Sequence, residues 1–160
     1  MGLFTFIKSA GAAIFGKGKP SKEEAAAVEA KEEAKERLAE RHLHGLIREL
    51  GFEIEHLTLK IEDDMAMVGG EAANQETKEK IVLLIGNSEG IASVQDNMTV
   101  EVQEPEATFH TVVSGDTLSK IAKQVYGNAM KYPVIFEANK PMLTDPDKIY
   151  PGQVLRIPKL

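Results

Sequence analysis

The sequence predicts an α+β protein built from two small units. Its 160 residues suffice for one ordinary domain or two small ones. Stretches whose apolar residues recur every three or four positions, as in helices, alternate with stretches of strand-like alternation. A short polar break, "QEPEAT", separates two such groups. We therefore expect an N-terminal segment and charged helical spacer at 1–32, a first unit at 33–103, a linker at 104–108 and a second unit at 109–160.

The first unit is predicted to run helix, hairpin, helix, strand. Residues 20–36 are rich in Ala, Glu and Lys, and form either a solvated helix or a semi-rigid spacer. They lead into an apolar helix face that Gly51 ends. The stretch "IEHLTLKIEDDMAMVGG" alternates on both sides of an acidic turn, which indicates a β-hairpin.

A second helix and a closing strand complete the first unit. The stretch "NQETKEKIVLLIGN" has helical periodicity, with Asn74 as its N-cap and Gly86 placed to stop it. After "SEGIASVQDN", an alternating strand is formed by Met98, Val100 and Val102. The second unit then follows the order βααβ, from a strand around 109–112 to a last strand in "QVLRIP".

The second unit resembles a LysM domain, and the pattern "HTVVSGDTLSKIAKQVYGN…IFEANKPML…DKIYPGQVLRIP" carries the resemblance. Glycine suits a tight turn in its "SGDT" motif, and either Asp116 or Thr117 caps the next helix. In that family, two loops form a shallow groove for N-acetylglucosamine polymers. The resemblance implies a groove lined here by Gly115, Asp116, Thr117, Leu118, Pro141, Met142 and Leu143.

The first unit resembles a BON domain in its element order and in "GIASVQDNMTV". Together with the "MGLF" start and the C-terminal LysM pattern, the whole chain resembles the bacterial cytoplasmic potassium-binding protein family. The resemblance implies selective binding of K⁺ by an ion sensor or buffer that serves the response to osmotic stress. It also implies that ion binding compacts the N-terminal segment, the first unit and the second unit.

Two segments offer suitable oxygens for such an ion. K⁺ favours several neutral oxygens, and the last carbonyls of a helix have no intrahelical partner. Helix ends of this kind are predicted in "FIKSAGAA" and in "LLIGNSEGIASV". Matched to the family position by position, the ligands are the backbone carbonyls of Ile7, Ala10, Ala12, Gly86, Ser88 and Ile91.

Charge and composition argue against nucleic-acid binding and against insertion into a membrane. The formal charge is −6, and residues 1–103 hold 12 Lys and Arg against 19 Asp and Glu, which disfavours nucleic acid as a partner. There is no cysteine, and Lys8 interrupts the first apolar run, so we expect a cytoplasmic protein. No run approaches the roughly 18 apolar residues of a membrane span, so we expect no stable membrane insertion, and we expect a monomer. Docking of this apolar start against the first unit is favoured over a helix lying in a membrane surface.

No enzyme is predicted. The stretch "GAAIFGKG" nearly matches a phosphate-binding loop but ends in Gly18 where a hydroxyl residue belongs, and no nucleophile motif is present. Two other readings stay open. The chain is either an envelope protein that grips peptidoglycan through its LysM pattern, or an adaptor that needs neither ion nor glycan. If the chain binds potassium, the second unit is either a packing partner of the first unit or a domain that binds muropeptide fragments.

Overall fold

The computed structural model describes residues 2–6 and 21–160, and its mixture of helices and strands confirms the α+β class. The N-terminal segment contributes β1 (Gly2–Thr5) to the first unit, whose other elements are α1 (Lys22–Glu49), β2 (Ile54–Glu62), β3 (Met65–Asn74), α2 (Gln75–Gly86) and β4 (Ser93–Val102). The second unit comprises β5 (Thr108–Thr111), α3 (Leu118–Tyr126), α4 (Tyr132–Ala138) and β6 (Val154–Ile157). A 3₁₀ turn at Ala129–Lys131 precedes α4.

A four-stranded sheet in the order β1-β4-β3-β2 forms the frame of the first unit. The predicted hairpin is the antiparallel pair β2–β3, and α2 is the crossover that allows β4 to pair in parallel with β3. Strand β1 was not predicted. It pairs antiparallel with β4, and its alternation buries Phe6, half-buries Phe4 and exposes Leu3.

The helix ends follow local sequence signals. A capping box between Ser21 and Glu24 begins α1, and Gly51 follows its end with φ +76°, which glycine adopts without strain. Asn74 accepts the Thr77 amide at 2.8 Å and caps α2 as predicted. The first half of α1 is exposed, whereas Leu43 and Ile47 enter the core.

Helix α1 also covers the outer edge of the sheet. Strand β2 is at the edge of the sheet formed by the described strands, so alternate amides along it have no partner among those strands. Glu40 accepts the Ile61 amide at 2.8 Å and Glu36 accepts the Asp63 amide at 2.7 Å. The two carboxylates, one helical turn apart, thus pair with amides two residues apart and hold the helix against the hairpin.

The second unit has the predicted βααβ order around a two-stranded antiparallel sheet. Of the two alternatives for the cap of α3, the structure selects Thr117, which accepts the Lys120 amide at 3.2 Å. The two units pack closely together. Val154, Phe109 and Met142 of the second unit belong to or contact the hydrophobic core of the first.

Candidate ion site and the contact between the two units

The C-terminal turn of α2 presents one part of the predicted ion site. The Asn87 amide donates to the carbonyl of Leu83 at 2.9 Å, and the Ser88 amide donates to that of Ile85 at 3.1 Å. The Ser88 hydroxyl donates to the Leu84 carbonyl at 2.7 Å. The helix end therefore uses these three carbonyls itself, and the predicted ligand carbonyls begin with the next residue, Gly86.

The loop from Asn87 to Ala92 is held at several points. Gly90 has φ +87°, a left-handed conformation that favours glycine, and the loop then returns so that the Ile91 amide donates to the Ser88 carbonyl at 3.3 Å. The Ile91 side chain is buried. The Ala92 amide donates to the Asp64 carbonyl in the hairpin turn at 2.7 Å. The hairpin thereby fixes the end of this loop. We call the loop, together with Gly86 at the end of α2, the ion loop (residues 86–92).

Phe6 joins the N-terminal segment to the ion loop. Its amide donates to the Ala92 carbonyl at 2.7 Å, and its buried ring lies against Gly86. A Cβ atom at residue 86 would stand 1.9 Å from Cζ of this ring. Gly86 was expected to stop the helix, but it is the last residue of α2, and Asn87 is the C-cap. The glycine is needed here to make room for the ring of Phe6.

The structure therefore brings together Gly86, Ser88 and Ile91 in one loop. The other predicted ligands, Ile7, Ala10 and Ala12, lie outside the described residues. The described part of the N-terminal segment ends at Phe6, directly before Ile7 in sequence and in contact with the ion loop.

Asn87 links the ion loop to the second unit. Its side-chain Nδ2 donates to the Val154 carbonyl at 2.9 Å, and its Oδ1 accepts the Val154 amide, also at 2.9 Å. A cleft of about 270 Å³ borders this contact, lined by Ser88, Asp145, Lys148 and Tyr150 among others. The loop that carries the predicted ion ligands thus also contacts strand β6.

A buried ion pair forms a second link between the units. Arg156 Nε donates to Glu79 Oε2 at 2.6 Å, and both side chains are at least nine-tenths buried. The other carboxylate oxygen of Glu79 accepts Gln75 Nε2 and the linker amide of Ala107, each at 2.9 Å. The carboxylate is therefore satisfied on both oxygens, as a buried charge requires. Nearby, the ring of Phe4 contacts that of Phe109, with centroids 5.3 Å apart.

The predicted glycan-groove residues occupy two loops of the second unit. Gly115 is exposed with φ +88°, and Thr117 is exposed beside it. Leu118 and Leu143 are buried together in the core, so they offer a ligand mainly their backbone. Pro141 and Met142 are half-buried, and Met142 packs against the core of the first unit. The groove as a ligand site stays a prediction.

Asp116 braces the first of these loops. Its Oδ2 lies 3.0 Å from His110 Nε2 on β5 and accepts the Val113 amide at 3.0 Å. The hydrogen bond from His110, followed by that from the Val113 amide, holds the pKa of Asp116 below its ordinary value. The motif aspartate therefore fixes the turn, while its neighbour Thr117 caps the helix.

Sequence reasoning missed the residues that join the two units: Asn87, Glu79 and Arg156. Their partners lie 67 and 77 positions away in the chain, beyond the reach of any local periodicity. Within residues 2–6 and 21–160, no group of three or more His, Cys, Asp or Glu side chains could hold a metal ion. In the same part of the chain, no helix has the length and apolar character needed to cross a membrane.

Comparison with known proteins identifies the domain type of the second unit and the family of the whole chain. Residues 110–158 match the LysM domain family, so the second unit is a LysM domain, packed here on an α+β unit. Over 162 residues, the chain is 45% identical to Potassium binding protein Kbp of Escherichia coli O6:H1, with 99% of both chains covered. The chain therefore belongs to the family of this Kbp protein.

Two further similarities cover only part of each chain. An uncharacterized protein of Deinococcus radiodurans is 51% identical over 51 residues, which are 32% of this chain and 19% of that protein. The esterase Rv1288 of Mycobacterium tuberculosis is 43% identical over 75 residues, 46% of this chain but only 16% of the esterase. This similarity covers too little of the esterase to transfer its activity, and the relative matched along its whole length is named as a binding protein.

Proposed function

We propose that this protein binds K⁺ through the backbone carbonyls of Ile7, Ala10, Ala12, Gly86, Ser88 and Ile91. The observation that carries the proposal is the contact of Phe6 with Gly86 and Ala92, because it brings the N-terminal segment to the ion loop immediately before the first proposed ligand. The full-length relative named for potassium binding supports the same conclusion.

The chemistry of the loop suits a large monovalent cation. Backbone carbonyls can replace the hydration shell of K⁺, and the end of a helix directs negative dipole density toward such an ion. Two of the proposed ligands lie in or just after the last turn of α2, and the loop is held by the hairpin and by β6. A held loop lowers the entropic cost of assembling the ligands around the ion.

Ion binding is proposed to favour the compact arrangement of the N-terminal segment, the first unit and the LysM domain. The ion loop belongs to the first unit and contacts the other two parts, so an ion bound to the loop stabilises the state in which all three are docked. The protein would then sense or buffer K⁺ in the cytoplasm, where a change in ion concentration accompanies osmotic stress.

Thermal unfolding tests the proposal. The full chain is unfolded by heat in three buffers of equal ionic strength: one with potassium, one with sodium, and one with neither ion. Binding to the folded state alone raises its stability by about 2.7 kcal/mol at a ligand concentration one hundred times the dissociation constant. We expect an upward shift of the unfolding midpoint in potassium that sodium does not reproduce. Identical midpoints in the three buffers would reject potassium binding.

A second candidate function is carbohydrate binding, which the LysM match favours. The loops at Gly115–Thr117 and at Pro141–Met142 are the surfaces that would contact a glycan. Binding of soluble N-acetylglucosamine oligomers, followed by titration calorimetry in potassium buffer, tests this candidate. Heat that saturates at a defined ratio supports it, and the absence of heat up to millimolar oligomer rejects it.

A further inference from the structure

Two asparagine side chains form hydrogen bonds with the peptide groups on the outer edge of β6. Among the described strands, β6 pairs only with β5, and the peptide groups of Val154 and Arg156 face away from that partner. Asn139 accepts the Arg156 amide at 2.7 Å and donates to the Arg156 carbonyl at 2.9 Å. Asn87 makes the same pair of bonds with Val154, both at 2.9 Å.

The two asparagines thus take the place of a neighbouring strand. A side-chain amide carries a donor and an acceptor side by side, as a peptide group does, and only Asn and Gln provide this. Asn139 belongs to the LysM domain itself, at the end of α4, and is buried. Asn87 belongs to the first unit, so the LysM sheet has its edge completed at Val154 by a residue from outside the domain.

The backbone position of Asn87 is tied to the ion loop. It is the C-cap of α2, with φ −80° and ψ −5°, and it lies between Gly86 and Ser88, two of the proposed ligand residues. A change in the path of this loop would move the amide out of register with Val154. Conversely, an amide held by Val154 fixes the carbonyls on both sides of it.

We propose that Asn87 is the positioning residue that couples the ion loop to the LysM domain. The inference rests on the proposed function for its ion-dependent part, and on geometry alone for the docking of the domain. Because coupling between two sites is reciprocal, loss of the Asn87–Val154 bonds weakens K⁺ binding as well as docking. Known couplings of this kind change affinity by about 5-fold to 150-fold, and we expect a loss of about 5-fold or more.

The test uses the full chain with two labels. The sequence has no cysteine, so cysteines introduced at the exposed Thr58 on β2 and Lys123 on α3 are the only labelling sites. The distribution of distances between two attached spin labels is recorded in potassium buffer for the parent, for Asn87→Ala and for Asn97→Ala. Asn97 is an exposed asparagine on β4 and serves as the matched control.

We expect the distance distribution of Asn87→Ala to broaden toward longer values, with that of Asn97→Ala unchanged. The potassium dissociation constant, fitted from the rise of the unfolding midpoint with potassium concentration, should increase about 5-fold or more in Asn87→Ala alone. Asn87→Asp keeps an acceptor for the Val154 amide but sets a carboxylate oxygen against the Val154 carbonyl. It should separate the units in the same way, and it replaces Asn87→Ala if that variant fails to fold.

The outcomes separate the two proposals. If the parent shows no potassium-dependent change, the proposed function fails, and the distance comparison still decides whether Asn87 holds the LysM domain. If the parent responds to potassium but both Asn87 variants match it in distance and in dissociation constant, the coupling role of Asn87 is rejected while potassium binding stands.

Discussion

The ring of Phe6 occupies the space in which a side chain at residue 86 would lie, with only 1.9 Å between its Cζ and the position of a Cβ. This contact couples residues 2–6 to the end of α2. Since the same helix end begins the ion loop, the packing of one aromatic ring holds residue 6 against the loop that contains three of the proposed ligands.

Replacing Gly86 by alanine should displace Phe6. Overpacking of a buried site typically costs about 1–3 kcal/mol, which exceeds the gain of up to about 1 kcal/mol when alanine replaces glycine in a helix. We expect a lower free energy of unfolding in urea and a weakened stabilisation by potassium. Gly45→Ala is the matched control, because no atom lies within 4 Å of its added Cβ; it should be neutral or stabilising. Equal effects of the two substitutions would contradict the contact.

Removal of the ring should abolish the cost of the added methyl group. In a Phe6→Ala background, Gly86→Ala meets no aromatic ring, so we expect it to be neutral or slightly stabilising. The double-mutant cycle should give a coupling free energy of about 0.5–3 kcal/mol, as found for residues in contact. Unfolding in urea of the four proteins gives this value, and strictly additive effects would mean that Phe6 does not pack on Gly86.

Breaking the buried Glu79–Arg156 pair should destabilise the junction of the two units. Glu79→Gln leaves the Arg156 charge buried without a carboxylate, and the loss of one partner in such a pair costs about 3–5 kcal/mol. The exposed pair Glu33–Arg37 provides the control: Glu33→Gln should change stability by less than about 1 kcal/mol. Urea unfolding measures both variants, and a similar small effect in each would show that the interdomain pair contributes little.

The lowered pKa of Asp116 predicts a pH-dependent contribution to stability. Its carboxylate is stabilised in the folded state, chiefly by His110, so this contribution is present above the pKa of the unfolded chain. It is lost as the pH falls through the lower pKa of the folded state. We expect Asp116→Asn to be less stable than the parent at pH 6, with the difference shrinking below about pH 4. A difference that stays constant from pH 6 to pH 3 would contradict the cause assigned to the shift.

The sequence predicted the parts of the fold that local patterns encode. The β2–β3 hairpin, the Asn74 cap and the βααβ order of the second unit all follow from turn residues, capping residues and apolar spacing. Strand β1 was missed because four residues at a chain terminus carry little periodicity. The i, i+2 spacing of Phe4 and Phe6 was the one signal for a strand in this segment. In the structure, the segment pairs as a strand with β4.

The candidate site was predictable only in part. Family resemblance selected Gly86, Ser88 and Ile91, and the structure places them in one loop beside Phe6. The side chains that hold this loop on the LysM domain were not predicted, because Asn87 and Glu79 meet partners that only the tertiary fold brings near. The reason for Gly86 was likewise tertiary: its Cβ would overlap a ring 80 positions earlier in the chain.

The most direct test of the central claim is a potassium titration of the full chain, followed by NMR through the backbone carbonyl ¹³C shifts. A cation that binds a carbonyl oxygen polarises the carbonyl group. The carbonyl carbons whose ¹³C shifts respond therefore identify the ligand residues. We predict that the carbonyls of Gly86, Ser88 and Ile91 shift together with those of Ile7, Ala10 and Ala12, along one saturating curve that sodium does not reproduce. Small unsaturable shifts spread over the chain, or a saturating response centred on other residues, would contradict the account.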